Sequence, residues 1–219
     1  GPNLYKEPDF WKEWRLHDGT EVKIPKTIDI RTNDDGDYYV LSPKGVQSCI
    51  QKKDCLYFEQ IMFPYHESDD EEFSTLEEQM NEIMWWHIPC PPDPKTIEEK
   101  GDMARKLRSE TDRAVYGFFG GGHFEPGQQA FRMDNFLMEL AANPERCIKF
   151  LDKLTEFHIN NLNEYLARVG PYLDIIGFSD DLGMQTGSQI SPRMFDEMLK
   201  PRYKRMWSMV KEKMPHLKI

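Results

Sequence analysis

The stretch that decides the fold is LDIIGFSDDLGMQTGSQISPRMF, residues 173–195. It opens with the almost wholly apolar run 173–178, and a short run of this kind is typical of a strand covered on both faces, as in a parallel sheet. Two adjacent carboxylates, Asp180 and Asp181, follow. Ser191 and Pro192 then form an N-cap and first-turn pair, which indicates a helix start. The sequence therefore predicts a strand, an acidic loop and a helix.

The same order occurs once more, earlier in the chain. Residues 114–119 form a second apolar strand, which ends at the triplet Gly120–Gly122. Helices are predicted over 126–141 and 143–170, and residues 216–219 have the pattern of a further strand. This alternation predicts an α/β fold built from parallel βαβ units with right-handed crossovers.

About three core strands can be found in this way, whereas a (β/α)8 barrel needs eight. We interpret the chain as the central part of such a TIM barrel, which requires further residues at both ends. A small open α/β sheet, complete in itself, is the alternative that periodicity leaves open. A partial sheet has unpaired edges. We therefore expect that residues 1–219 alone are not a stable, active monomer, and that catalysis needs residues outside them.

The first part of the chain has the pattern of strands and loops. Two β-prone runs, 28–31 and 38–41, flank an Asp-Gly pair at Asp35 and Gly36, which is a hairpin signal. Residues 67–72 contain five carboxylates in six positions. We interpret this run as a solvated loop.

Two capping boxes then indicate helix starts. Ser74 with Glu77 predicts a helix to about residue 86, and Thr96 with Glu99 predicts one to about residue 110. The proline-rich segment 89–94 separates them as a rigid linker. The predicted division is residues 1–95, an N-terminal elaboration with a β-hairpin and linker, and residues 96–219, the barrel part.

Composition excludes several functional classes. The formal net charge of −10 disfavours nonspecific binding to nucleic acid or anionic lipid. The sequence has no run of about 18 apolar residues that could span a membrane. The four cysteines form no C-x-x-C pair, which is typical of free thiols in a cytoplasmic protein.

Ligands of parallel α/β folds lie beyond the carboxyl ends of the strands. At the end of the 173–178 strand, Asp180 and Asp181 are the candidate catalytic residues, because adjacent like charges raise the pKa of one carboxyl and suit it to acid/base chemistry. The loop after residue 119 contributes candidate substrate-binding residues, and the 179–185 loop adds one more: Gly121, Gly122, His123, Glu125 and Gln185. The glycine triplet matches neither a dinucleotide fingerprint nor a P-loop, which excludes a nucleotide site of those types.

Structural roles remain open for the same residues. One aspartate could cap backbone groups while the other faces water, and the glycine triplet could be only a flexible turn. His158 lies in the apolar stripe of its predicted helix, where we interpret it as a packed, hydrogen-bonded side chain.

The run from Asp174 to Gln185, followed by Ser191-Pro192, Phe195 and Pro201, resembles the uroporphyrinogen decarboxylase superfamily. The segment Tyr116 to Gly122, with Phe136-Leu137 and Asn143-Pro144-Glu145, resembles the preceding strand–helix–helix unit of that family. Together these residues cover 113–219. The first half, with Trp11-Lys12-Glu13-Trp14, resembles the variable insertion of decarboxylase-like relatives more weakly.

The resemblance implies one of two chemistries at the mouth of a barrel. The decarboxylases are lyases that remove acetate carboxyls from a porphyrinogen without a cofactor. The related methyltransferases move methyl groups to or from a corrinoid, usually with zinc. This chain has Asp180 and then Asp181 where the decarboxylases show an aspartate followed by a hydroxyl residue. Its DDLG-Q loop looks more like the methyltransferase-like relatives.

We therefore favour a corrinoid (cobalamin)-dependent methyltransferase, with a porphyrinogen decarboxylase as the alternative. A non-catalytic tetrapyrrole-binding or scaffold module is a third class, because a fold does not fix a function. The resemblance places the zinc ligands after Ile219, so no metal ligand is expected within these residues. The implied partner is a corrinoid protein or a tetrapyrrole substrate. Self-association into a homo-oligomer is left open.

Overall fold

The structure is a computed structural model, and it describes residues 11–26, 28–42, 44–84 and 94–219. The chain divides into two compact units, one ending at Phe63 and the other beginning at Pro64. In the described ranges, no helix is both long enough and apolar enough to cross a bilayer.

The first unit consists of two small antiparallel sheets. Strands β1 (Trp11–Arg15) and β2 (Glu21–Pro25) form a hairpin. The second sheet has the order β3-β4-β5-β6, and its strands are β3 (Asp29–Thr32), β4 (Tyr38–Leu41), β5 (Gln47–Gln51) and β6 (Glu59–Gln60). The predicted hairpin is confirmed as β3 and β4. Asn33 closes its turn by accepting the backbone N–H groups of Asp35 and Asp37 at 3.1 and 2.8 Å.

The second unit alternates helices and strands. Its larger elements are α1 (Leu76–Met84), α2 (Pro94–Glu110), β7 (Tyr116–Gly120), α3 (Phe124–Phe131), α4 (Met133–Ala142), α5 (Pro144–Arg168) and β8 (Ile175–Phe178). After β8 come β9 (Gly183–Met184), β10 (Gly187–Ser188), α6 (Pro192–Met194), a π-helical segment (Phe195–Leu199) and α7 (Lys200–Lys213).

Strands β7 and β8 pair in parallel, with Tyr116 opposite Ile175. On the other side of β8, Lys218 forms a parallel bridge to Ile175 and accepts the N–H of Ile176 at 2.9 Å. The α/β prediction is therefore confirmed, and β8 lies between two parallel neighbours. The described residues show this open pair and its crossover helices, and they do not show a closed barrel.

Helix α5 carries the core of the second unit. Its buried side chains recur at helical spacing, because only one face of an amphipathic helix is removed from water. They include Phe150, Leu151, Leu154 and Leu162, all with no exposed surface. At one end the ring of Phe150 contacts Tyr65, Phe73, Phe131 and Phe136 with centroid separations of 5.0–6.3 Å.

One expectation differs from the structure. The helix predicted over 126–141 is two helices, because Arg132 between them has a φ of 69°, which no helix accommodates. The π-helical segment lies just before Pro201, since proline lacks the N–H that an α-helix needs. The compact units divide between Phe63 and Pro64, so α1 belongs to the second unit. The predicted domain division at residues 95 and 96 stays a prediction. The proline linker 89–94 lies mostly outside the described residues.

Candidate active site

The site lies where the carboxyl ends of β7 and β8 meet. Parallel pairing continues to Gly120 and Phe178, and the N–H of Ser179 donates to the carbonyl of Gly120 at 3.2 Å. The loop after β7 and the loop after β8 therefore leave the sheet side by side. The predicted position of Asp180 and Asp181 at the end of a central parallel strand is confirmed.

The Asp180 carboxylate binds the start of helix α3. It accepts backbone N–H groups from His123 at 2.5 Å, Phe124 at 2.6 Å and Glu125 at 2.8 Å. It also accepts a hydrogen bond from the hydroxyl of Tyr203 on α7. The first N–H groups of a helix have no partner within the helix and carry partial positive charge, so they form a natural anion site. Asp180 occupies that site from 55 or more residues away in sequence.

The glycines of the β7–α3 loop allow this close approach. A Cβ atom on Gly122 would lie 2.7 Å from the carbonyl oxygen of Ser179 and 3.0 Å from the Asp180 carboxyl carbon. Gly121 has a φ of +68° and lies against the ring of Phe119. Any larger residue at 122 would push the two loops apart. Close packing of the two loops is therefore sufficient to require glycine here. The predicted substrate-binding role of these glycines stays a prediction.

Two buried histidines support the same loop. His123 Nε2 lies 2.9 Å from Thr155 Oγ1, and the Thr155 hydroxyl donates to the carbonyl of Leu151 at 2.6 Å. The threonine oxygen therefore accepts from His123, whose other nitrogen, Nδ1, has no partner among the described residues. His158 Nε2 lies 2.8 Å from the carbonyl of Gly122, to which it must donate. Our interpretation of His158 as a packed, hydrogen-bonded side chain is confirmed.

Burial keeps both imidazoles neutral. It holds the pKa of His123 well below its ordinary value, and the neighbouring His158 and Arg202 add to this effect. It lowers the pKa of His158 from 6.5 to about 4, although the Gly122 carbonyl and Asp180 oppose that change. His123 has no exposed surface. The expectation that its side chain opens toward a ligand is therefore wrong, because Asp180 bonds the backbone of this residue while the ring points into the core.

Asp181 has the opposite environment to its neighbour. Its side chain is exposed and accepts the N–H of Gly183 at 3.2 Å, within its own loop. Strands β9 and β10 then form a small exposed hairpin whose turn contains Gln185. The Gln189 amide holds the hairpin base, since its nitrogen donates to the carbonyls of Asp181 and Gly183 at 3.1 Å each. Asp181 and Gln185 are accordingly the two predicted site residues that reach solvent most openly.

The two segments that follow β7 and β8 carry negative charge and no positive charge. Residues 120–131 and 179–192 contain Glu125, Asp180 and Asp181 but no lysine or arginine. Across the part of the chain that the structure describes, no group of three or more His, Cys, Asp or Glu side chains could hold a metal ion. The described residues therefore offer no zinc site of this kind, and the position of zinc ligands after Ile219 stays a prediction.

The family follows from comparison with known proteins. Residues 78–219, more than half of the chain, match the family model described as uroporphyrinogen decarboxylase (URO-D). The chain belongs to the uroporphyrinogen decarboxylase family. No curated protein and no solved structure matches it. Members of this superfamily are generally enzymes on a TIM-barrel fold, and the match covers both strand ends described above.

Sequence reasoning about this family member missed three residues that build the site: Thr155, Gln189 and Tyr203. A signal existed for Tyr203. It shares a buried helical stripe with Met206 and Val210, so its hydroxyl had to find a partner inside the protein. Nothing local marks Gln189, which acts through a side-chain amide on a loop.

Proposed function

We propose that this protein is a methyltransferase that moves methyl groups to or from a corrinoid. The observation that carries the proposal is the charge of the two segments that follow β7 and β8. Residues 120–131 and 179–192 contain three carboxylates and no lysine or arginine. We call these three carboxylates the acidic rim. A porphyrinogen substrate of a decarboxylase carries several carboxylates, which such a rim repels. The periphery of a corrinoid carries mainly neutral amides, which an acidic rim tolerates.

The engagement of Asp180 also supports the proposal. Cofactor-free decarboxylation needs a group that stabilises developing charge or transfers a proton at the substrate. The Asp180 carboxylate already accepts four hydrogen bonds from the protein. It is therefore committed to structure, and Asp181 is the carboxylate of the pair that remains exposed to a bound molecule.

The residues of this chain would bind and orient the corrinoid rather than perform its bond chemistry. A bound corrinoid supplies the cobalt that carries the methyl group. The β9–β10 hairpin, with Gln185 in its turn, presents amide groups that can hydrogen-bond neutral amides. Asp181 excludes anionic ligands. Since the described residues offer no zinc site, no step through zinc is assigned to them.

A comparison of the affinities for two ligands tests the proposal. Binding of methylcob(III)alamin and of uroporphyrin III, a stable polyanionic porphyrin, is measured by absorbance titration on the same preparation. We expect methylcobalamin to bind at least about tenfold more tightly, and uroporphyrin binding to strengthen with salt because screening weakens the repulsion. Tighter binding of uroporphyrin, or removal of its carboxyls by the protein, would overturn the proposal.

A matched pair of variants isolates the rim charge. Asp181→Asn removes one exposed carboxylate from the rim and should improve uroporphyrin binding severalfold. Glu164→Gln removes an exposed carboxylate from α5 and should not. Equal effects of the two variants would show that overall charge, rather than the rim, sets the preference.

A further inference from the structure

Among the residues that the structure describes, Tyr203 is the one side-chain donor that hydrogen-bonds Asp180. The other three are backbone N–H groups at the start of α3. An ionised carboxylate offers about four lone-pair positions. The Tyr203 hydroxyl shares Oδ2 with the N–H groups of His123 and Phe124, whereas the Glu125 N–H binds Oδ1. It comes from α7, an element that belongs to neither of the two loops.

The ring of Tyr203 is held tightly in place. Its side chain is buried, it meets His123 edge to face with centroids 5.0 Å apart, and it stacks on Trp207 at 5.6 Å. Burial and the nearby Asp180 raise the pKa of Tyr203 far above its ordinary value. The hydroxyl is therefore protonated at every working pH and always a donor.

The π-helical segment before α7 determines which residue reaches Asp180. One extra residue in a helical turn rotates everything after it by about 100°. Pro201 requires an irregular turn at this point, since it cannot donate an N–H. Tyr203 follows two residues later. Single-turn π segments occur frequently at functional sites, and here the segment sets the face of α7 that meets the strand-end loops.

We propose that Tyr203 is a positioning residue that acts through Asp180 to hold the β7–α3 loop and the β8 loop in one arrangement. Three N–H groups from one helix start fix the carboxylate to α3, and the hydroxyl fixes its rotation relative to α7. Glu125 lies in the first turn of the helix that this loop leads into, and Asp181 is the next residue after Asp180. Loss of the hydroxyl should loosen both without touching a bound ligand.

Amide hydrogen exchange tests this proposal independently of any activity. Tyr203→Phe removes the hydroxyl and keeps the ring. We expect exchange of the His123, Phe124 and Glu125 amides to speed up roughly ten- to a hundredfold, the range implied by a hydrogen bond to a charged group. Amides in the middle of α5 should change far less. Unchanged exchange at all three amides would overturn the proposal.

Tyr165→Phe is the matched control. Tyr165 is a second buried tyrosine of the same unit, and it has no hydrogen bond to Asp180. Its variant should leave exchange at residues 123–125 unchanged relative to the rest of the unit. If Tyr165→Phe accelerates the three amides as much as Tyr203→Phe does, the effect is general loosening and the positioning role is wrong.

A double-mutant cycle shows whether Tyr203 acts through Asp180. Asp180→Asn alone should accelerate the three amides. Adding Tyr203→Phe to it should produce little more, because the hydroxyl has then lost its charged acceptor. Multiplicative effects of the two substitutions would mean that Tyr203 works by another route, which overturns the proposal.

The functional consequence rests on the proposed function and has its own readout. With methylcobalamin as the probe, Tyr203→Phe should weaken binding severalfold, whereas Tyr165→Phe should not. Absence of methylcobalamin binding by the unmodified protein, together with accelerated exchange in Tyr203→Phe, would reject the proposed function and leave the positioning role standing.

Discussion

Two acidic segments of the second unit compensate their charge in different ways. The acidic segment 67–72 is held by cations of α5, with the Arg146 guanidinium donating to the carbonyl of Ser68 at 3.0 Å and Lys149 contacting Glu72 at 2.6 Å. Asp180, in the strand-end loop, pairs with no cation of the described residues and is held by backbone N–H groups and one hydroxyl. The first arrangement tolerates motion of long side chains, whereas the second fixes one carboxylate in one orientation.

The difference shows which kind of environment lets a carboxylate stabilise the fold. Exposed ion pairs contribute little, because water and salt screen them and two flexible side chains lose entropy. Hydrogen bonds from a helix start to a partly buried carboxylate are directional and weakly screened. We therefore expect the strand-end loop to be sensitive to single changes and the acidic segment to be robust, except where the partly buried Arg146 of α5 contacts it.

The largest expected effect separates the two adjacent aspartates. Asp180→Ala should lower the free energy of unfolding by about 4 kcal/mol, because four donors lose one charged acceptor. Asp181→Ala should change it by less than about 0.5 kcal/mol, as for an exposed residue. Urea unfolding of the two variants checks this. Similar losses from both variants would show that the four hydrogen bonds of Asp180 do not set its contribution to stability.

Acid should lower the free energy of unfolding, because His158 on α5 is neutral when buried. Since the pKa of His158 is about 4 when folded and 6.5 otherwise, the unfolded chain takes up a proton first as the pH falls. The contribution of neutral His158 to the free energy of unfolding is complete above pH 6.5 and is lost progressively down to about pH 4. At 1.36 kcal/mol per pKa unit this amounts to about 3 kcal/mol.

Comparison with His158→Gln isolates that titration. Glutamine can still donate toward the Gly122 carbonyl and does not ionise in this range. The free energy of unfolding of the variant, followed from pH 7 to pH 4, should fall less steeply than that of the unmodified protein. Parallel curves would mean that His158 does not titrate on unfolding as its burial implies.

Arg146 should be the sensitive point of the acidic segment. Its side chain is only 12% exposed, and its guanidinium lies 5.5 Å from the ring centroid of Phe73 and 5.0 Å from that of Phe131. Arg146→Met keeps the aliphatic packing and removes the charge and donors. We expect a loss of about 2 kcal/mol by urea unfolding, combining a partly buried hydrogen bond with cation–π contacts.

Lys149 should show the smallest effect. It forms an ion pair with Glu72 at 2.6 Å, but 42% of the lysine and 73% of the glutamate side chain are exposed. Lys149→Met should leave the free energy of unfolding within experimental error, and added salt should not change that result. A loss of stability comparable to that of Arg146→Met would show that the acidic segment is held by a network of charges. It would contradict the view that Arg146 alone holds this segment.

Local patterns predicted a large part of this unit. The two apolar runs indicated parallel strands and form β7 and β8, and Ser191 accepts the N–H of Met194 at 3.2 Å as an N-cap should. Such signals succeed because strand burial and helix capping depend on residues a few positions apart. The motifs in 113–219 likewise indicated the family.

The sequence predicted where the site residues lie in the fold, but not which of them have structural roles. The order of strands and loops places Asp180, Asp181, Gly122 and Glu125 at one edge of the sheet. The burial of His123 was not predicted, because the residue that receives its ring hydrogen bond, Thr155, lies 32 positions away. Sequence reasoning also placed Gln185 at the site, where it lies in the exposed hairpin, and its contact with a ligand stays a prediction.

By itself, the sequence determined the α/β alternation and the acidic strand end, because strand periodicity and turn chemistry are local. It left open which aspartate is structural, since Asp180 and Asp181 share a residue type, a charge and a loop. Only the tertiary structure decides between them. It brings the start of α3 and the hydroxyl of Tyr203 to one carboxylate and leaves its neighbour in water.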